Sequence, residues 1–266
     1  MTMSIPVIGR RRFLTLPLAL LLAPLSRSGA EVSQRTGGYA VEVGILYRTF
    51  TFQITGTIVE AVDRTAQRYH FVLSGQGPRI ENRLESQGTF RGGRWAPDVS
   101  TSWVQVLGRP SRTEIAYDHA RGTVEYHARG ETFFLRRLRV VNDVLRVPQG
   151  LHVDDVVSAL LNYADGLWPA QSGGLFRTHV MRRYRADDEG ADDVASAYRA
   201  ELVPFELRTS VDPDTGKPVG LFDLTRFSSW ARESSPARVV FGSRRRPELI
   251  TASMAYGTAL TIRMDA

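Results

Sequence analysis

The chain has 266 residues, with 34 basic against 28 acidic side chains and no cysteine. Its formal charge of +6 is front-loaded: Arg10, Arg11, Arg12 and Arg27 face no acidic residue in the first thirty positions, and without them the balance falls to 30 against 28, near +2. That excludes nucleic-acid binding by bulk charge, which needs a dense basic surface to displace counterions, and the missing cysteines exclude disulfides, thiolate nucleophiles, thiolate metal sites and lipid attachment through sulfur.

In chain order, the first element is an export segment. Gly9-Arg10-Arg11-Arg12-Phe13-Leu14-Thr15 resembles the twin-arginine motif, a pair of arginines followed shortly by Phe13 and Leu14. The apolar run from Leu16 to Leu25 is interrupted by Pro17 and Pro24 and is short for a bilayer span. Ser28-Gly29-Ala30 supplies small residues for cleavage. The expected organisation is a signal peptide over 1–30, removed after Ala30, and a single β-rich domain over 31–266 that works in the periplasm with no transmembrane segment. An ordinary secretion signal and an uncleaved anchor are the alternatives.

Strands come next. Val41, Val43, Ile45 and Tyr47 alternate with other residues, as do Phe50, Phe52 and Ile54, then Tyr69, Phe71 and Leu73. Ile80 and Leu84 alternate with Glu81, Arg83 and Glu85. Period two is the signature of a pleated strand, and one apolar and one charged face indicate antiparallel strands with one solvated side. Ser102 to Leu107 is apolar on both faces and is expected to be more central. Asp118-His119-Ala120-Arg121-Gly122 and the stretch from Asp212 to Pro218 combine Asp, Pro and Gly in hairpin turns. Arg238 to Phe241 and Ala259 to Arg263 are expected to be the last two strands.

One helix interrupts this pattern. Asp154 or Asp155 caps it, and Val156, Val157, Leu160, Leu161 and Ala164 form its apolar positions, with Trp168-Pro169 as its end. The acidic stretch Asp187 to Asp193 reads as an exposed loop, with a short helical turn over Val194 to Tyr198.

Chemistry-bearing motifs are scarce. His70, His119, His127, His152 and His179 show no metal-ligand spacing, and no nucleophile elbow or phosphate loop occurs. Ser158, three residues after the cap, suits the first helical turn better than nucleophilic attack. No catalytic, cofactor-binding or metal-binding residue is assigned, and no structural ion is expected. The clusters Arg136, Arg137 and Arg139; Arg182, Arg183 and Arg185; and Arg244, Arg245 and Arg246 read as solvated strand faces and loop tips. Tyr47, Phe50, Phe52, Tyr69, Phe71, Trp103 and Tyr117 are placed on the inner side of a curved sheet. There they either fill the core or line an apolar cleft, with Tyr47, Phe52, Phe71 and Trp103 as the candidate lining.

Four stretches resemble a bacterial exported family known as domain of unknown function 3108. They are Tyr39-Ala40-Val41-Glu42-Val43, the hairpin Tyr117 to Val124, the helix start Asp155-Val156-Val157-Ser158-Ala159-Leu160, and Asp212 to Pro218 with the closing hairpin to Tyr256-Gly257. Gln171 to Ala197 departs most from the family pattern. The resemblance implies an all-β, mostly antiparallel protein whose strongly curved sheet, or incomplete barrel, is crossed by one short helix. It transfers no catalytic residue. The leading expectation is non-enzymatic binding of a lipid or other apolar or envelope-derived small molecule, without cofactor or nucleic acid. The alternatives are a hydrolase or isomerase whose residues converge only in the fold, and an envelope scaffold that pairs with a protein partner through a strand edge.

Overall fold

The computed structural model describes residues 32–45, 47, 49–131, 138–185, 198–225, 235–254 and 257–265. The signal motif (Arg10, Arg11, Phe13, Leu14, Ala30), the acidic stretch 187–193, the turn residues 194–197 and Arg136 and Arg137 lie outside the described residues.

Eight long strands come first: β1 (Val32–Ile45), β2 (Phe50–Asp63), β3 (Arg68–Gly77), β4 (Ile80–Arg91), β5 (Arg94–Val106), β6 (Arg109–Asp118), β7 (Thr123–Glu131) and β8 (Leu138–Arg146). A two-residue strand, β9 (Val153–Asp154), leads into helix α1 (Val156–Ala164). Then follow β10 (Ala170–Gln171), β11 (Leu175–Arg185), β12 (Tyr198–Val211), β13 (Pro218–Phe222), β14 (Ala237–Phe241), β15 (Pro247–Ser253) and β16 (Ala259–Met264).

All sixteen belong to one sheet, ordered β10-β11-β12-β13-β14-β15-β16-β1-β2-β3-β4-β5-β6-β7-β8. Every neighbour along this path pairs antiparallel; only β9 pairs parallel, with β11. The first and last of these strands in the chain meet in the middle of the sheet, where β1 pairs with β16. The two ends of the sheet curl toward one another. Tyr126, Ala128 and Val141 from β7 and β8 share a buried cluster with Met181 and Ala200 from β11 and β12. The Ala200 amide donates to Asp143 Oδ2 at 2.6 Å, and the Arg139 guanidinium lies 4.9 Å from the ring centre of Tyr198. The sheet is therefore a mostly antiparallel incomplete barrel, closed by side chains where a last ladder would have sealed it.

Several turns form as their residues dictate. Asp118 Oδ1 accepts from the amides of Ala120 and Arg121, and Gly122 follows at φ 62°. Asp212 Oδ1 accepts from the amides of Asp214 and Thr215 and from the Thr215 hydroxyl. Tyr39 lies across β2 and β3 where both are bare: a Cβ on Gly56 would meet its ring at 2.5 Å and one on Gly75 its hydroxyl at 2.2 Å. That hydroxyl reaches Asn82 Oδ1 at 2.8 Å on β4.

Other expectations need correction. A further strand, β15, lies between the two expected to close the chain. Helix α1 ends four residues before Trp168, at the Asp165 cap, because Gly166 turns the backbone to φ 70°. Tyr47 is not on a strand face: it sits at φ 56° in the β1–β2 connection and is 84% exposed.

Trp103 faces outward because of a bulge. Gln87 pairs with Val99 and Gly88 with Pro97, so Asp98 is an extra residue. An extra residue reverses the alternation beyond it. Trp95 and Pro97 face in above the bulge, and Ser100 and Ser102 face in below it. Trp103 stands between Arg83 and Arg112 on the convex side. The stretch 102–107 is correspondingly not a doubly buried centre: Val104 and Leu107 are exposed.

Several arginines of the remaining clusters have partners. Arg182 meets Glu201 at 2.7 Å, Arg183 lies over Tyr198, Arg245 over Tyr163, and Arg246 meets Glu60 at 2.7 Å.

Candidate functional site: an apolar cavity beside a buried polar knot

Helix α1 lies in the concavity of the sheet and divides it. Its start is a reciprocal capping box: Asp155 Oδ1 accepts from the Ser158 amide at 2.7 Å, while the Asp155 amide donates to Ser158 Oγ at 3.0 Å. One side of the helix, Val157 and Leu161, packs with Val62, Tyr69 and Trp95, and Phe71 lies against this cluster. Trp95 makes edge-on contacts with Tyr69 and Phe90. The other side, Ala159, Leu160 and Tyr163, faces Trp168, Phe176, Leu207 and Phe241.

Beneath the helix start is a buried polar knot centred on Asp154. Its Oδ1 accepts from Ser158 Oγ (3.0 Å), Asn162 Nδ2 (3.1 Å) and His152 Nε2 (3.1 Å). Its Oδ2 accepts from Thr178 Oγ1 (2.5 Å) and from the Arg94 guanidinium. Asn162 bridges further: it accepts from the Trp95 amide and donates to the Trp95 carbonyl, both at 2.8 Å. Asp155 Oδ2 accepts from Ser86 Oγ at 2.5 Å, and Ser86 in turn meets the Tyr69 hydroxyl at 3.0 Å. Burial pushes the Asp155 carboxyl above the ordinary aspartate range, with the Ser158 and Ser86 hydrogen bonds opposing it. Burial also lowers the Arg94 guanidinium, against the pull of Asp154.

On the far side of the helix the concavity is open. A cavity of about 440 Å³ lies between α1 and the inner faces of β4 to β6 and β11 to β16. Its walls are apolar: Leu160, Phe205, Phe222, Val239, Ile250 and Ile262 are representative. Trp168 stacks on Phe205, which contacts Phe222, and Phe241 lies against Tyr163. Polar groups enter the lining from Ser100, Ser102, Thr113 and Tyr117, and from Asp154 and Asp155 of the knot. No lysine or arginine is among the described lining residues. The volume lies within the range of small-molecule sites, and the pattern, apolar walls with a few convergent polar groups, is the usual one for such sites.

None of Tyr47, Phe52, Phe71 and Trp103 lines this cavity. Tyr47 and Trp103 lie away from the concavity. Phe52, paired with Val43, is half-buried, and Phe71 packs on the filled side of the helix. Tyr117 does line the cavity and is buried. The rest of the aromatic lining comes from the second half of the chain. Its signal was present in the alternation of Phe205 with Leu207 and of Val239 with Phe241; what the sequence lacks is the order of strands that brings these faces over Leu160.

The histidines are spread out. His70 pairs with Glu85 on the solvated face, His119 Nε2 meets the Pro97 carbonyl at 2.7 Å, and His127 meets Asn142. Among the described residues no three His, Asp or Glu side chains converge as a metal site, and no helix is long and apolar enough to cross a membrane.

Fold and site together define a barrel-like, mostly antiparallel sheet protein with one internal helix and an interior cavity. The chain is similar to the crystal structure of a beta-barrel-like protein of domain of unknown function DUF1849 from Brucella abortus, at 10% identity and a TM-score of 0.43, over 88% of this chain and 96% of that one. No family model and no curated protein matches the chain.

Proposed function

We propose that the protein is a non-enzymatic binding protein that takes an apolar ligand, a lipid or similar envelope-derived molecule, into the cavity beside α1. The observation that supports this is a space of about 440 Å³ enclosed by apolar walls in a fold whose other half is closely packed. Burying a chain there would gain roughly 0.8 kcal/mol per methylene, so several methylenes offset the cost of immobilising the ligand.

The buried Ser158 and Asp154 and the partly exposed His152 argue for this reading over a hydrolase. A nucleophilic serine needs a histidine beside it as base, with the carboxylate behind the histidine. Here the carboxylate stands between the two, and Ser158 is fully buried in the capping box.

The proposal includes export to the periplasm through Arg10, Arg11, Phe13 and Leu14 with cleavage after Ala30, and membership of the exported family 3108 through the Asp155 helix start and the Asp118 and Asp212 hairpins. Native mass spectrometry of protein purified from the periplasm is the test. A retained lipid-sized mass, and an N-terminus at Glu31, are expected. Absence of any retained mass, together with no change in melting temperature on adding envelope lipids, would remove the carrier reading and leave a packed scaffold.

A further inference from the structure

We infer that the ligand of this cavity is neutral at its polar end, bearing a hydroxyl or ester carbonyl that hydrogen-bonds the Tyr117 hydroxyl; this rests on the binding function proposed above. Tyr117 lines the cavity, is only 7% exposed, and its hydroxyl has no hydrogen-bond partner among the described residues. A buried hydroxyl left unpaired is costly, and most such groups in native proteins find a partner. Among the described residues that line the cavity, Tyr117 is the one with such a group.

Both oxygens of Asp154 and both oxygens of Asp155 accept hydrogen bonds from protein donors. An ammonium would find Asp154 saturated by five protein donors and could reach Asp155 only through the lone pairs left beside Ser158 and Ser86 on a buried side chain. A carboxylate or phosphate fares worse. It would lie beside two aspartates in a lining without lysine or arginine among the described residues; Arg94, which pairs with Asp154, does not line the cavity. A neutral oxygen avoids both costs and satisfies Tyr117. A monoacylglycerol or long-chain alcohol has this chemistry; a fatty acid anion or lysophospholipid does not.

The test uses the purified mature protein and an uncharged apolar dye, N-phenyl-1-naphthylamine, displaced by monoolein, hexadecanol, or palmitate above neutral pH. Monoolein and hexadecanol should displace the dye well and palmitate poorly. Tyr117→Phe keeps the ring and removes the hydroxyl. It should weaken monoolein by about threefold to tenfold, the worth of one hydrogen bond, leave dye affinity unchanged, and raise the melting temperature of the unliganded protein. If the dye binds but palmitate competes equally and Tyr117→Phe changes nothing, the neutral-head inference is overturned while the cavity function stands. A Tyr117→Phe variant that melts lower than the parent would also overturn it, by exposing a structural hydrogen bond at that hydroxyl. If neither dye nor lipid binds, both fall.

Discussion

The two sides of α1 are built from the same sheet and finished in opposite ways. Toward β2 to β5 the concavity is filled by Val62, Tyr69, Trp95, Val157 and Leu161, with Asn162, Ser86 and Asp154 hydrogen-bonded throughout. Toward β11 to β16 the walls are equally apolar, yet a cavity remains. A sheet able to fill one half this densely has no geometric need to leave the other half open. The knot ties the start of α1 to β5 and β11 and so fixes where the helix lies in the concavity.

The largest expected effect comes from removing the anchor. Asp154→Ala would leave Arg94 buried without its counter-charge and strip an acceptor from Ser158, Asn162, His152 and Thr178. Breaking a buried pair from one side costs about 3–5 kcal/mol, so urea unfolding should show a loss of that order, and dye binding should fail as the helix loses its seat. A loss no larger than the roughly 0.5 kcal/mol typical of surface changes would mean that the knot does not anchor α1.

Two adjacent helix positions compare the sides directly. Leu161 is 1% exposed in the filled half, whereas Leu160 borders the cavity. Leu161→Phe should cost about 1–3 kcal/mol through overpacking. Leu160→Phe should be nearly neutral for folding but should lower ligand affinity by occupying the space. Equal losses in denaturant melts would show that the two halves are packed alike.

Asp155 separates the cap from the charge. Its carboxyl is raised by burial, so the protonated form is favoured in the folded state. Its contribution is therefore full below the unfolded aspartate pKa of about 3.9 and is lost as pH rises through the raised folded value. Asp155→Asn retains an acceptor for the Ser158 amide and removes the titration. The stability of the parent relative to this variant should fall as pH rises from the unfolded aspartate value through the raised folded one and stay level above it; a difference that rises with pH would reverse the assignment.

The smallest effect is expected on the convex face. Trp103→Thr, between Arg83 and Arg112, should shift stability by no more than about 1 kcal/mol, close to the range usual for surface substitutions, and should leave dye and monoolein binding intact. Loss of binding in that variant would place Trp103 at the site after all.

Much of the architecture was legible in local chemistry. Alternation marked β1 to β4, the Asp118 and Asp212 turns supplied their own hydrogen-bond acceptors, and the Asp155–Ser158 spacing defined a helix cap, because each rests on neighbours a few residues apart. The candidate lining was not legible in the same way. One extra residue at Asp98 turned Trp103 outward, and a single connection carried Tyr47 off the sheet. The cavity draws on Leu84, Phe205, Val239 and Ile262, whose proximity depends on β1 pairing with β16 and on the curl that brings β8 to β12. Period two states which residues share a face of one strand; it carries no information on which strands face each other. Likewise, the sequence alone determined that Asp154 or Asp155 caps a helix and that Tyr117 sits beside a turn. Only the tertiary structure decided that Asp154 would be enclosed by five donors and that Tyr117 would line the cavity with its hydroxyl buried and without a partner among the described residues, because burial and pairing belong to the closed sheet rather than to any segment of it.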